Sequence, residues 1–221
     1  MKRKNETEDL PTRGRILDAT VKLLYGSHPR ELTTRRIAGE AGVNIAAINY
    51  HFRSKDELID EAVRAATATA FEMGMKVLRA PGKPAEERLR NFLAGYATGL
   101  VKFPGLTRNA WLAFFQKEGG ETFYGRFMKE MLESIGEVIA EIQRAAGARD
   151  GGGAGAQESG AAALMVISCV IFPFLVSRTI RDAGSVDYED DEARGRYIDT
   201  ALAMLAGCRV AGSTDKENQN G

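Results

Sequence analysis

T-T-R-R-I-A-G-E-A-G-V-N-I-A-A-I-N-Y-H-F-R-S-K, residues 33–55, is the stretch from which the rest of the chain is read. Its pattern is a short helix, a tight turn, a second short helix and the capped start of a third. Thr33 or Thr34 stands where a side-chain oxygen must satisfy the first unpaired N–H groups, and Ile37, Ala38 and Ala41 form the inward stripe. Gly42 suits a left-handed residue that ends the first helix, and Asn44 caps the next. Two helices joined so tightly predict a helix-turn-helix, whose second helix can enter the major groove of DNA.

The second helix carries the chemistry. Ile48 and Phe52 lie four apart and can hold it to its own domain, leaving Ala46, Ala47 and Tyr50 pointing away. Small residues at 46 and 47 permit close approach. Asn49, Tyr50 and His51 offer hydrogen-bonding groups for phosphates or base edges, and Ser54 with Glu57 reads as a capping box. Lys55 adds its charge to the positive end of the following helix, where an anion such as a phosphate is favoured.

Three blocks, T-T-x-x-I-A-x-x-A-G-V, N-x-A-A-I-N-Y-H-F and S-K-x-E-L, span Thr33 to Leu58, and in them the chain resembles the TetR/AcrR family of transcription regulators. Residues 15–25 resemble the family's first helix. The resemblance implies a homodimer with one helix-turn-helix per subunit, and a helical C-terminal domain that binds a small-molecule effector and thereby loosens the grip on an operator. Thr34, Arg35, Asn44, Ile45, Ala46, Ala47, Asn49, Tyr50, His51 and Lys55 are the expected DNA-binding residues. Ile45 departs from the polar or basic residue often found there, and offers an apolar surface to a thymine methyl group.

Across 221 residues Lys and Arg balance Asp and Glu at thirty each. That neutrality argues against a nucleic-acid partner only until its distribution is examined. Residues 1–55 hold eleven basic and six acidic side chains, leaving nineteen and twenty-four for the remainder. The basic excess lies with the motif. Cys169 and Cys208 make no disulfide framework, and no closely spaced Cys/His set suggests a metal; neither metal nor cofactor is expected. The charged start, M-K-R-K-N-E-T-E-D, lacks the apolar core of a signal peptide, so a cytoplasmic location is expected.

Along the chain, residues 1–9 read as a mobile arm, 10–56 as the DNA-binding domain, 57–210 as a helical effector-binding and dimerisation domain, and 211–221 as a disordered tail. Apolar periodicity predicts helices over 12–25, 55–78, 85–103, 106–118, 122–146, 161–183 and 191–209, with no alternating strand. With the two short motif helices, about nine in all, the fold class is all-α. The glycine-rich segment 147–160 lacks the Lys-Ser/Thr ending of a phosphate loop and reads as a flexible linker.

The uncharged run 161–177 falls short of the roughly twenty apolar residues of a membrane span and contains Pro173, so no membrane partner is expected. Its two apolar stripes imply burial on two sides, one against its own core and one against a second copy of the chain. Ile167, Ile171 and Phe174, with Ala201, Met204 and Leu205 from the last helix, are the expected dimer interface. Aromatic side chains gather in the middle of the chain, and Tyr96, Trp111, Phe115, Phe127 and Phe172 are the candidates for an effector pocket suited to an apolar or aromatic molecule. No titratable constellation suggests an enzyme. The sequence therefore predicts a double-stranded-DNA-binding repressor released by an effector; the alternative is a constitutive architectural DNA-binding protein.

Overall fold

A computed structural model describes residues 11–26, 31–107, 123–146, 153–184 and 186–207, and among these the regular structure is helical, with no strand. Nine helices are described: α1 (Thr12–Gly26), α2 (Thr34–Ala41), α3 (Ile45–His51), α4 (Lys55–Leu78), α5 (Ala85–Lys102), α6 (Phe123–Ala145), α7 (Gly153–Leu175), α8 (Ser177–Asp182) and α9 (Asp191–Gly207). A helical turn at 104–107 leads into undescribed residues. No described helix is long and apolar enough to cross a membrane. The N-terminal arm, the C-terminal tail and the greater part of the helix expected over 106–118 lie outside the described residues.

Local chemistry sets the first four helices. The Thr33 hydroxyl accepts from the Arg36 N–H at 3.1 Å, and the Asn44 side-chain carbonyl from the Ala47 N–H at 2.8 Å. Between them Gly42 sits at φ 64°, ψ 38°; its N–H reaches the Gly39 carbonyl, and the Val43 N–H reaches that of Ala38. This paired arrangement consumes the orphan carbonyls of α2 and requires a left-handed residue at 42. Ser54 caps α4 by accepting from the Glu57 N–H at 3.1 Å, while the Glu57 carboxylate accepts from the Arg53 N–H at 3.2 Å. The reciprocal bond therefore lands one residue before the cap, a displaced form of the expected capping box.

Gly42→Val is expected to destabilise this region by about 1–3 kcal/mol, because a β-branched residue is strained at positive φ. Gly39 offers the contrasting case. It is an exposed helix-interior glycine around which an added Cβ meets nothing within 4 Å, so Gly39→Ala should stabilise by about 1 kcal/mol. Thermal melting of the two variants beside the parent checks both signs.

Contacts divide the chain into two units. Residues 1–79 and 98–131 form the first, so α4 and a later segment cluster with the helix-turn-helix. The physical reason is a shared core. Ile16, Leu24, Leu32, Ile37, Ile48, Phe52 and Leu58 are buried together with Leu106, and Phe103 and Tyr124 pack on the same cluster. The Phe103 ring meets Tyr25 edge-on, with centroids 4.6 Å apart.

The second unit comprises residues 80–97 and 132–221. Leu89, Phe92, Leu93, Ile135, Val138, Ile167, Val170 and Ile198 are among its buried side chains. Gly136 on α6 faces the Ser159 backbone of α7, where an added Cβ would stand 3.4 Å from the carbonyl oxygen, at the near edge of van der Waals contact. Arg90 grips Asp199 with two bonds of 2.6 and 2.9 Å.

Two sequence predictions change here. α7 begins at Gly153, inside the expected linker, because Ala154, Ala156, Gln157 and Glu158 are good helix formers and outweigh the glycines among them. It then stops at Leu175, where a single helix to 183 is predicted. Pro173 sits inside its last turn, the Val176 N–H still reaches the Phe172 carbonyl at 3.2 Å, and α8 starts only after Val176.

Candidate nucleic-acid interface

α3 is held to its unit from one side only. Ile48 and Phe52 are buried at 1% and 3% exposure, and the Phe52 N–H closes the last turn on the Ile48 carbonyl at 2.9 Å. Opposite them Asn44, Ala46 and Asn49 are exposed, Ile45 is 44% exposed and Tyr50 is 85% exposed. His51 is half-buried, with its ring edge-on to Tyr50 at 5.0 Å. Ala47 differs from its expected outward position: it is half-buried against the core, so the close approach offered by small residues rests on Ala46. An exposed tyrosine and isoleucine on a helix otherwise anchored inward form an amphipathic contact face.

The electrostatics of the same segment are those of a surface awaiting anions. On α1 and α4, Arg13 pairs with Glu61, Lys22 with Asp18 and Arg64 with Asp60, at 2.7–2.8 Å. Arg35, Arg36, Arg53 and Lys55 have no carboxylate partner among the described residues. Arg35, Arg36 and Arg53 are exposed, while Thr34 and Lys55 are half-buried. Arg36 and Arg53 are absent from the expected set. Their signal in the sequence was position alone: one is adjacent to Arg35, the other lies between the contact helix and its neighbour.

The effector candidates are divided between the two units and the undescribed residues. Tyr96 belongs to the second unit and stacks on Phe92 at 6.1 Å. Phe127 belongs to the first, stacked on Phe71 at 4.5 Å and edge-on to Phe123. Trp111 and Phe115 lie outside the described residues. Phe172 is 64% exposed, on a surface strip of α7. A group that the sequence did not reveal does form in the second unit. Tyr188, from the stretch between the last two predicted helices, is fully buried, donates its hydroxyl to the Val170 carbonyl at 2.9 Å and lies edge-on to Tyr197. Buried Arg194 donates to the Tyr188 carbonyl at 2.9 Å and pairs with Asp191.

Burial pushes the Tyr96 hydroxyl up to about 12 from an ordinary 10.0, and burial with the nearby Asp60 carboxylate pushes Tyr124 to about 12. The unfolded chain thus releases these protons first. Their stabilising contribution is complete below pH 10 and is lost as pH rises through the folded values near 12. Melting temperature should hold below pH 10 and fall above it, with tyrosinate absorbance rising together with unfolding.

The residues expected at a dimer interface stand in different environments within the single chain. Ile167 and Ile171, at 1% and 9% exposure, belong to the subunit's own core, in register with Ala163, Val166 and Val170. Phe174 and Ala201 are half-buried, and the Leu205 side chain lies outside the described residues. The exposed apolar side chains of α7 are Leu164, Met165, Phe172 and Leu175, drawn from neither expected stripe alone, with Met204 on α9 also exposed at 67%. Periodicity identified two stripes along the uncharged run 161–177, which holds no charge to tell which faced inward.

Comparison with known proteins supplies the context. Residues 16–62 match the family model described as bacterial regulatory proteins, tetR family. The HTH-type transcriptional regulator BetI of Escherichia coli is 25% identical over 134 residues, 60% of this chain and 68% of BetI. A TetR-family transcriptional regulator from Mesorhizobium loti shares the fold with a TM-score of 0.63 at 15% identity, over 92% of this chain and 98% of that one. FadR of Bacillus subtilis, solved with stearoyl-CoA, does so with a TM-score of 0.54 at 14% identity, over 87% and 96% of the two chains.

Proposed function

We propose that the chain, whose residues 16–62 match the tetR family model, is a DNA-binding transcription regulator, a homodimeric repressor released from its operator by a small, largely apolar effector. The observation that carries this is the exposed Tyr50 on a helix anchored by Ile48 and Phe52, with Arg35, Arg36, Arg53 and Lys55 nearby in the sequence and without carboxylate partners among the described residues. Asn44, Ile45, Ala46, Asn49 and Tyr50 read base edges in the major groove, while Thr34, Arg35, Arg36, Arg53 and Lys55 hold phosphates. His51 orients Tyr50 through its ring contact.

Two subunits pair through the exposed strip of α7 and Met204 of α9. A two-fold dimer presents its two contact helices to half-sites about one helical turn apart, or a multiple of it. The effector acts by population shift. A coupling of about 1–3 kcal/mol changes operator affinity roughly 5- to 150-fold. Residues 98–131, which share the core of the DNA-binding unit through Leu106, Phe103 and Tyr124, carry the shift to the helix-turn-helix together with α4. The apolar nature of the effector is supported by the aromatic side chains of the middle helices and by the stearoyl-CoA that the same fold accommodates in FadR.

The deciding experiment is selection of fragmented genomic DNA by the purified protein at physiological salt, followed by sequencing of what is retained. Recovery of one or a few palindromic sites, and their release by apolar metabolites or acyl-CoAs, is the expected result. Retention without a shared sequence, or palindromic binding that no such compound weakens, overturns the repressor-effector assignment in favour of an architectural role.

A further inference from the structure

We infer that Arg13 is a positioning residue for operator recognition: it fixes the C-terminal end of the contact helix by covering the Phe52 ring while anchored to Glu61. This rests on α3 being the helix that reads DNA. The Arg13 guanidinium carbon lies 4.8 Å from the centroid of the Phe52 ring, and Nη2 donates to the Glu61 carboxylate at 2.7 Å. Three elements meet at one cation: the first turn of α1, the residue that closes α3, and the second turn of α4.

The need for such a clamp follows from the size of α3. It has seven residues, and of these Ile48 alone is fully buried, with Phe52 following at the C-cap. A helix tied to its core along so short a line can tilt about that line, and Tyr50 at its far side would move most. Phe52 is buried on the core side, and a guanidinium on its ring adds a directional contact, since the ring face is attractive to cations. Glu61 holds the guanidinium in place, and at 28% side-chain exposure it is the less accessible partner. Arg13 itself is half exposed. An ion pair this accessible contributes little to folding, so its effect is to be sought in the geometry of the contact helix.

The same cation has a competing use as a direct phosphate ligand, and the two roles have opposite signatures. A positioning role confines the loss in Arg13→Ala to the specific complex, about tenfold, comparable to one misaligned base contact. Affinity for a random-sequence duplex of equal length, the salt slope and the melting temperature stay unchanged. Arg13→Lys, which keeps the charge but not the planar cover, recovers part of the loss. Glu61→Gln weakens specific binding in the same direction and less than additively with Arg13→Ala.

If Arg13 bound phosphate instead, Arg13→Ala would weaken both duplexes alike and flatten the salt slope by about 0.9. Glu61→Gln would then strengthen binding by freeing the cation and removing a negative charge. Either that pattern, a parallel drop in melting temperature, or unchanged specific affinity in Arg13→Ala overturns the assignment. Tyr50→Ala serves as the control on the premise: if specific binding survives it, the contact helix has been misassigned, whatever Arg13 does.

Discussion

Operator affinity falls by ~10²–10³ when Arg35, Arg36, Arg53 and Lys55 are replaced together by alanine, and the slope of log affinity against log salt flattens by about 3.6. Each cation that neutralises a phosphate releases condensed counterions, contributing about 0.9 to that slope in B-DNA, and four such contacts account for the total. The fold should tolerate the change. Three of the four side chains are exposed, and none has a carboxylate partner to strand among the described residues. The caps at Thr33, Asn44 and Ser54 are left intact. Surface replacements of this kind usually stay within about 0.5 kcal/mol each. Filter-binding or fluorescence titrations at several salt concentrations measure both quantities. A slope altered by less than about one would mean that these cations do not face DNA.

The loss should appear on random-sequence duplex as well, since phosphate contacts carry no base information. Substitutions at Asn49 or Tyr50 behave differently, by lowering the ratio of specific to non-specific affinity. The distinction matters because net charge gives no hint of it: the chain as a whole is neutral, and the basic excess of residues 1–55 is offset elsewhere. Of the cations in that segment, Arg13 and Lys22 are already committed to carboxylates, so the structure separates cations available to DNA from cations used internally.

The helix-turn-helix was legible because its determinants are local. Thr33, Gly42, Asn44 and Ser54 act on backbone groups within a few residues, and each performs the hydrogen-bonding role that its position predicts. The outward face of α3 was nearly as clear, Ala47 being the exception. Beyond α4 the information becomes non-local. The assignment of Leu106 and Phe103 to the core of the DNA-binding unit depends on packing across some fifty residues of sequence, which no periodicity encodes. Tyr188 was hidden for a related reason: a lone aromatic in a polar loop shows its burial only when the Val170 carbonyl and Tyr197 come to meet it. On α7 the two apolar stripes are equivalent in composition, and only the three-dimensional structure reveals that Ile167 and Ile171 face inward while Phe172 and Leu175 face out.

That last distinction sets the second large effect, conversion of the proposed dimer to a monomer by Phe172→Glu with Leu175→Glu. Both side chains are more than 60% exposed in the single chain, at 64% and 62%, so neither replacement disturbs the subunit core. In a two-fold interface each change occurs twice, placing four carboxylates in the strip formed with Leu164, Met165 and Met204. An unpaired charge buried at such a contact costs several kcal/mol, enough in sum to dissociate a standard interface at micromolar concentration. The monomer then engages only one half-site and loses the avidity of the linked pair, about 10²- to 10⁴-fold in operator affinity. Sedimentation or light scattering reads the oligomeric state, and circular dichroism confirms that helicity is retained. Ile167→Glu provides the contrast, since at 1% exposure its charge enters the subunit's own core and should cause unfolding instead of clean dissociation. A Phe172/Leu175 double variant that remained dimeric, with undiminished operator affinity, would place the interface on another face of the molecule.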